Sequence, residues 1–256
     1  MNGDAFAVVR ETALRSWRKT LRRPVPLTFS FVQPLFWMLI FGFLFHRFTL
    51  GPAYAGYSYL DFLLPGVCSM TVLFGASQAG ITLVRDLQTG FLQRMVRASA
   101  HPHWILAGTL GAEVVRLGAQ ACIVALLGVA LGARPVFDPA ALLPAAVALA
   151  LFALGYASLS CWIALKTKAQ ESMATFVHVV NMPLLFTSTA LVPSRQMPAW
   201  LEWIARWNPL TTVADSLRDV LLLGRMPSAL HLLPLLVGSL LLFLLAAGAM
   251  KHAARE

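Results

Sequence analysis

Charge is what this chain has least of. Only 12% of its 256 residues are Asp, Glu, Lys or Arg, against about one quarter in soluble domains, which excludes an ordinary water-soluble globule. Cysteine is scarce too. Cys68, Cys122 and Cys161 sit inside apolar runs without C-x-x-C spacing, so they read as three small buried residues. No G-x-x-x-x-G-K-S/T loop occurs, and with it goes the usual cradle for nucleotide phosphates. His101 and His103 flank Pro102 without further ligands nearby, which leaves no metal site to expect. There is no internal repeat, no low-complexity tract and no secretory signal, because a long basic stretch precedes the first apolar run and no small-residue cleavage site follows it.

What is present is apolar length. Hydrophobic residues make up 58% of the chain, the mean hydropathy is +0.71, and runs of ~20 apolar residues, enough to cross a bilayer as a helix, recur between short polar breaks. Each crossing is expected to be helical, since a helix satisfies its own backbone in lipid. The spans are predicted at about Thr28 to Phe45, Leu60 to Val84, Trp104 to Leu131, Ala140 to Leu165, Glu171 to Val192 and Leu230 to Met250. The fold class is therefore an all-α integral membrane protein of six transmembrane helices in a single domain, 1–256. Ahead of them, over residues 1–26, Phe6, Val9, Ala13, Trp17 and Leu21 share one helical face. Arg15, Arg18, Lys19, Arg22 and Arg23 share the other, with Arg10 the exception, a pattern for a helix lying on the membrane surface. Pro24 and Pro26 are expected to turn the chain into the first span.

Basic residues concentrate on one side of this topology. Arg10, Arg15, Arg18, Lys19, Arg22, Arg23, Arg85, Arg94, Arg97, Lys166, Lys168, Lys251 and Arg255 fall on the side of the termini, against Arg47, Arg134, Arg195, Arg206, Arg218 and Arg225 opposite. The positive-inside rule then makes both termini cytoplasmic. The net charge of +9 reads as orientation and contact with anionic lipid, with no need of a nucleic-acid partner.

Residues 193–224 interrupt the apolar pattern outside the cytoplasm. Trp200, Trp203, Ile204 and Trp207 share one helical face, suited to the headgroup layer, and Glu202 and Arg206 pair at i, i+4. Asn208 and Pro209 break this helix. In the next one Leu210, Val213, Ala214, Leu217 and Leu221 face inward, Asp215, Arg218 and Asp219 face a polar environment, and Gly224 is placed to cap the end. A short hairpin dipping into the outer leaflet and an amphipathic loop lying flat both fit these residues.

The stretch LLFTSTALVPSRQMPAWLEWIARWNPLTTVADSLRDVLL resembles the C-terminal signature of the ABC-2 family of ATP-binding-cassette transporter permeases, particularly its daunorubicin-resistance-like branch. The shared features are a Ser/Thr-rich span end, a Pro, Met-Pro-x-Trp, Asn-Pro-Leu-Thr and a later Arg. The resemblance places Pro193, Pro198, Trp200, Asn208, Pro209 and Arg218 at signature positions, with Trp203 and Trp207 beside them, and implies two re-entrant extracellular helices. The break at residues 85–103 is similar to the same family's cytoplasmic segment, through Asp86, Gly90, Phe91, Leu92, Arg94, Met95 and Gly108. Gln93, Ser99 and Thr109 depart from the family's common Glu, Pro and Lys. By this resemblance the segment is a coupling helix seated in a cleft of an ATPase subunit, with Phe91, Leu92 and Met95 as apolar contacts and Arg94 and Arg97 as charged ones.

The family implies a permease subunit of an inner-membrane exporter, not itself an enzyme. It would work with two separate ATPase subunits carrying ATP and Mg and with a second copy or a related permease. The drug-resistance likeness points to an amphipathic small molecule or lipid as cargo; related permeases that move polysaccharides or lipo-oligosaccharides are the alternative. Inside the spans the polar candidates for a pathway are Gln33, Gln78, the i, i+3 pair Glu113 and Arg116, and His178 with Asn181, since intramembrane ionisable groups are costly. Snorkelling or mutual pairing would equally account for Glu113 and Arg116, and helix-to-helix bonding for the others. An ion-coupled transporter using Glu113 and an intramembrane serine protease are the rival classes; the serines of GYASLS are out of frame for the latter.

Overall fold

The computed structural model describes residues 10–15, 24–98, 102–136, 139–227 and 229–253. Within them the chain is helical, with no strand. Residues 10–15 are helical. The other residues that define the predicted surface helix, Phe6, Val9, Trp17, Leu21, Arg18, Lys19, Arg22 and Arg23, lie outside the described residues, as do Ser99, His101 and Arg255. The helices that follow are α1 (Pro24–Leu44), α2 (Tyr59–Gln88), α3 (Phe91–Ala98), α4 (Pro102–Ala130), α5 (Pro139–Thr167), α6 (Gln170–Phe186), α7 (Ala199–Trp207), α8 (Pro209–Leu221) and α9 (Ala229–Ala253).

Four helices are long and apolar enough to cross a membrane, over Tyr59–Gln88, His103–Ala130, Leu142–Thr167 and Leu232–His252, with a shorter apolar stretch at Phe31–Leu44. Two predicted boundaries move. α1 begins at Pro24 instead of turning there, because the first turn of a helix needs no N–H from its prolines. α6 stops at Phe186, short of the predicted Val192. At 1.5 Å per residue its 17 residues span about 26 Å, and the backbone of residues 189–191 is used for other bonds, to Thr211, Ser188, Arg218 and Tyr59.

α2 is the centre of the bundle. It packs on α1, α3, α4, α5, α6 and α8, while α5 also holds α9. Close approach is built in with glycine. A Cβ at Gly66 would lie 2.0 Å from the Ala190 carbonyl oxygen, and one at Gly80 would lie 2.5 Å from that of Ser160, so only glycine admits these neighbours. At Gly80 the closeness is used: its N–H donates to Ser160 Oγ at 3.1 Å, and Ser160 Oγ donates to the Ser77 carbonyl at 2.7 Å. Asn181, fully buried on α6, donates to Ser77 Oγ at 2.8 Å and accepts from the Tyr156 hydroxyl at 2.6 Å. One polar chain thus joins α2, α5 and α6 inside the apolar bundle. Cys68 and Cys161 are buried, but Cys122 is exposed on the outward face of α4, so only two of the three thiols fit the buried reading.

An aromatic ladder leads from α1 into α2: Trp37 to Phe41 at 4.9 Å, Phe41 to Phe45 at 5.7 Å, Phe45 to Tyr59 at 5.2 Å and Tyr59 to Phe62 at 6.3 Å. α2 itself starts with a capping box, in which Ser58 and Asp61 exchange side-chain to backbone bonds. The free Asp61 oxygen accepts from Arg134 N at 2.6 Å, and this satisfies a carboxylate that is only 6% exposed.

Candidate functional site

Two ends of the bundle carry the residues singled out above, and a cavity lies between helices on one of them. At the basic end, Gly90 turns the chain from α2 into α3 with φ +66, a conformation glycine adopts without penalty. α3 then presents Phe91 upward against the N-terminal segment. The Arg15 guanidinium sits 3.4 Å over the Phe91 ring, donates to Met95 Sδ at 3.2 Å and lies 3.7 Å from Asp86. Burial lowers the Arg15 pKa, and the Asp86 charge pulls it back up. The expected coupling residues Asp86, Gly90, Phe91, Arg94 and Met95 are therefore clustered. Leu92 points the other way, 4% exposed in the bundle core, which removes it as an apolar surface contact; among the described side chains of the helix Gln93 and Arg94 are the exposed ones. Arg15 belongs to this cluster, and sequence spacing had placed it only on the polar face of a surface helix.

Above this cluster opens a cavity of about 540 Å³ between α1, α2 and α4. Gln33, Gln78, Glu113 and Arg116, predicted separately as pathway candidates on three different helices, all line it. Arg116 grips Glu113 with two hydrogen bonds, one of them Nε to Oε2 at 3.0 Å, and Nη1 donates to Gln120 Oε1 at 3.2 Å. The i, i+3, i+7 spacing puts all three on one face of α4. Gly75 makes room for that face, since a Cβ there would meet Leu117 Cδ2 at 2.2 Å. Apolar walls come from Trp37, Val67, Met70 and Phe74. The other two candidates are not part of it: Asn181 is consumed in the α2, α5, α6 chain, and His178 is exposed on the outer face of α6. Among the described residues no group of three His, Cys, Asp or Glu converges as metal ligands would.

At the opposite end, α7 and α8 meet at Asn208. Its Oδ1 caps α8 by accepting from Leu210 N at 2.9 Å, while Nδ2 donates to the Leu184 carbonyl at 2.7 Å and to Thr187 Oγ1 at 3.1 Å. α7 buries only Ala205 and leaves Trp200, Trp203 and Trp207 66%, 65% and 78% exposed. Glu202 and Arg206 pair at 3.0 Å. α8 is the reverse, buried along one face against α2 and α5. Arg218, expected to face a polar environment outside the core, is 1% exposed. Its guanidinium donates to the carbonyls of Phe62, Thr189 and Ala190, to Thr189 Oγ1, and to Asp215 Oδ1 at 2.7 Å. Asp215 also accepts from Thr189 Oγ1 at 2.9 Å. The C-cap of α8 is Leu222, not Gly224 as expected from the sequence: Leu222 N and Leu223 N both return to the Arg218 carbonyl, and Gly224, with φ +58, turns the chain two residues later, where Arg225 N donates to the Asp219 carbonyl at 2.8 Å.

The model of the ABC-2 type transporter family matches residues 9–222. The chain belongs to the ABC-2 permease family. A putative transport permease ycf38 of Cyanophora paradoxa is 33% identical over 199 residues, 77% of this chain and 68% of the relative. Its counterpart in Porphyra purpurea is 30% identical over 215 residues, 84% of this chain and 72% of that one. The daunorubicin resistance ABC transporter permease protein DrrB1 of Streptomyces coeruleorubidus is 28% identical over 221 residues, 83% of this chain and 75% of that one.

The permease's own geometry explains what its late signature residues do. Asn208 ties the start of α8 to the end of α6, and Arg218 ties α8 to the residues after α6 and to the first turn of α2. The Ser/Thr-rich span end supplies the acceptors, because residues 187–190 leave the helix and offer their carbonyls and hydroxyls to Arg218 and Asn208. Pro193 and Pro198 precede the two short helices at Ser194–Gln196 and Ala199–Trp207. Gln120 and Thr189 are the polar side chains bonded to Arg116 and Arg218 that the sequence did not single out. Gln120 stands one turn beyond Arg116, so the α4 polar row could have been extended to it by periodicity alone.

Proposed function

We propose that this ABC-2 permease is the membrane subunit of an ATP-driven exporter that moves an amphipathic small molecule or lipid, with ATP and Mg bound by separate ATPase subunits. The observation that carries the reading is the cavity between α1, α2 and α4, where apolar walls face a polar row at intramembrane depth and α3 lies at the mouth. α3 is the coupling helix in this reading. It meets an ATPase through the exposed Gln93 and Arg94 and the free edge of Phe91, and two such subunits serve one transporter.

Dimerisation is supported by α6. Glu171, Thr175 and His178 are exposed on it at i, i+4, i+7 spacing, a row too polar for lipid. A second copy of the chain or a related permease, with a water-lined path between them, would cover it. α1 and α6 then complete six crossings in the inner membrane. The excess of basic residues at the α3 end favours cytoplasmic termini, and the hairpin of α7 and α8 dips into the outer leaflet with Trp200, Trp203 and Trp207 among headgroups.

Copurification with the products of neighbouring genes, followed by reconstitution in proteoliposomes, tests this reading. Vanadate-sensitive ATP hydrolysis by a distinct subunit, stimulated by an amphiphile that is carried to the opposite face, is the expected result. A chain that comes down alone and moves its ligand on an ion gradient would overturn it.

A further inference from the structure

The cavity's polar groups are not evenly balanced in charge. Gln78, Thr82 and Arg85 recur at i, i+4 and i+7 on α2, so they form one stripe, and all three line the cavity. Opposite them stand Gln33 on α1 and the Glu113, Arg116, Gln120 row on α4. Glu113 is paired by Arg116, and Asp86 faces Arg15. Three guanidiniums, of Arg15, Arg85 and Arg116, against two carboxylates leave one positive charge on the lining. That charge is Arg85, exposed and without an ion pair or hydrogen bond among the described residues. The amides of Gln33 and Gln78 are likewise open among the described residues, and a carboxamide offers both a donor and an acceptor.

The groups are also ordered by depth. At 1.5 Å per residue, Arg85 to Gln78 covers about 10 Å of α2, and Gln78 to Val67 a further 16 Å or so of mainly apolar wall. We propose that the cavity binds an anionic amphiphile. Its acidic group sits at Arg85, the neutral hydrogen-bonding part of its head lies between Gln33 and Gln78, and its apolar part runs toward Trp37, Phe74 and Met70. A cationic amphiphile is rejected, because both carboxylates are already engaged and the unpaired group is a guanidinium. This assignment deepens the exporter reading and rests on it for the bound molecule's role as cargo. An anionic phospholipid of the leaflet and a free acidic cargo share the chemistry.

Trp37 provides the readout. The full-length permease in phosphatidylcholine nanodiscs would be titrated with a terminally brominated alkyl phosphate and with the alkyl trimethylammonium of the same chain, bromine quenching nearby indole fluorescence. The expected result is a saturable component of quenching by the phosphate, at least about tenfold tighter than by the ammonium and absent in Trp37→Phe, which keeps only the background quenching of the exposed Trp200, Trp203 and Trp207 by label dissolved in the bilayer. Arg85→Gln weakens the phosphate about tenfold, as loss of one charge-assisted hydrogen bond does, and Gln78→Leu weakens it less. An equally tight saturable component with the ammonium, a saturable component that survives in Trp37→Phe, or unchanged affinity in Arg85→Gln would each overturn the proposal. Native mass spectrometry separates the sources: an anionic phospholipid retained by the wild type and lost in Arg85→Gln identifies a lipid, and tight phosphate binding with no retained lipid identifies free cargo. No ATPase takes part in this experiment. Binding without a copurifying ATPase therefore overturns the exporter reading alone, and an active complex whose permease ignores the phosphate overturns the site alone.

Discussion

The guanidinium of Arg218 lies 3.8 Å above the Phe62 ring and donates to the Phe62 carbonyl at 3.2 Å. This one side chain closes the end of α8 onto the start of α2, and its other donors hold the segment after α6. Asp215 is its only ionic partner in the described residues, and that carboxylate is 39% exposed; three peptide carbonyls solvate the rest of the guanidinium. Arg218→Ala orphans those carbonyls in the core and is expected to cost about 3–5 kcal/mol, as loss of a buried charge partner does. Arg218→Lys recovers little, because an ammonium cannot serve a fork of acceptors. Thermal unfolding of each variant in nanodiscs checks both outcomes; a lysine variant as stable as the wild type would contradict the carbonyl-fork account.

Gly80 and Gly66 are expected to tolerate no side chain. A Cβ at Gly80 would sit at 2.5 Å from both oxygens of Ser160, the carbonyl and the hydroxyl, and the hydrogen bonds among Gly80, Ser160 and Ser77 prevent α5 from backing away. Gly80→Val should destabilise by at least the ~1–3 kcal/mol of an overpacked core, whereas Gly111→Val, where nothing lies within 4 Å, should not. The same unfolding measurement compares the two.

The Tyr156, Asn181 and Ser77 chain predicts coupling between variants. Asn181→Leu and Tyr156→Phe each remove one end of the 2.6 Å bond, so their effects should be less than additive, with an interaction of about 0.6–2 kcal/mol. A double-mutant cycle reads it directly, and strict additivity would show that the bond contributes nothing.

How much of this was legible beforehand depends on the range of the interaction. The long apolar helices follow from local hydropathy, and the break at Asn208 and Pro209 follows from local backbone chemistry. The Trp face of α7 follows from periodicity. Arg218 was misread because Asp215 and Asp219 flank it, and a charged row on an amphipathic helix normally faces water; its burial depends on carbonyls from residues 62, 189 and 190, far away in sequence. The end of α6 was misplaced for the same reason. Residues 187–192 are apolar enough to continue a span, and what unwinds them is the demand of Arg218 and Asn208 for acceptors. Arg15 meets Met95 across 80 residues, and no spacing rule reaches that far. Conversely, the sequence already held the cavity's polar residues one by one, and only packing could show that four of them face each other.

Arg15 should act as a clasp on α3. Cation–π contact contributes about 0.5–2 kcal/mol, enough to hold a short helix but not the whole fold. In Arg15→Ala the amides of residues 91–98 are expected to exchange hydrogen faster, while those of α2 and α5 keep their protection. If α3 couples to an ATPase, the same variant should hydrolyse ATP with less transport per turnover. Unchanged exchange in α3 would mean that the contact with Phe91 holds nothing in place.

Glu113 and Arg116 allow a structural pair to be separated from a pathway group. Each side chain is 17% exposed, so Glu113→Gln strands a guanidinium and Arg116→Met strands a carboxylate within the spanning part of α4. Either single change is expected to cost about 3–5 kcal/mol, and the double change Glu113→Gln with Arg116→Met should recover most of it, because a neutral pair needs no counter-charge. Recovery of stability without recovery of transport would then place the two charges in the translocation pathway. Recovery of both would make them a packing device that the cavity lining happens to contain. The comparison needs both readouts, thermal unfolding and transport in proteoliposomes, since stability alone responds in the same way under either role.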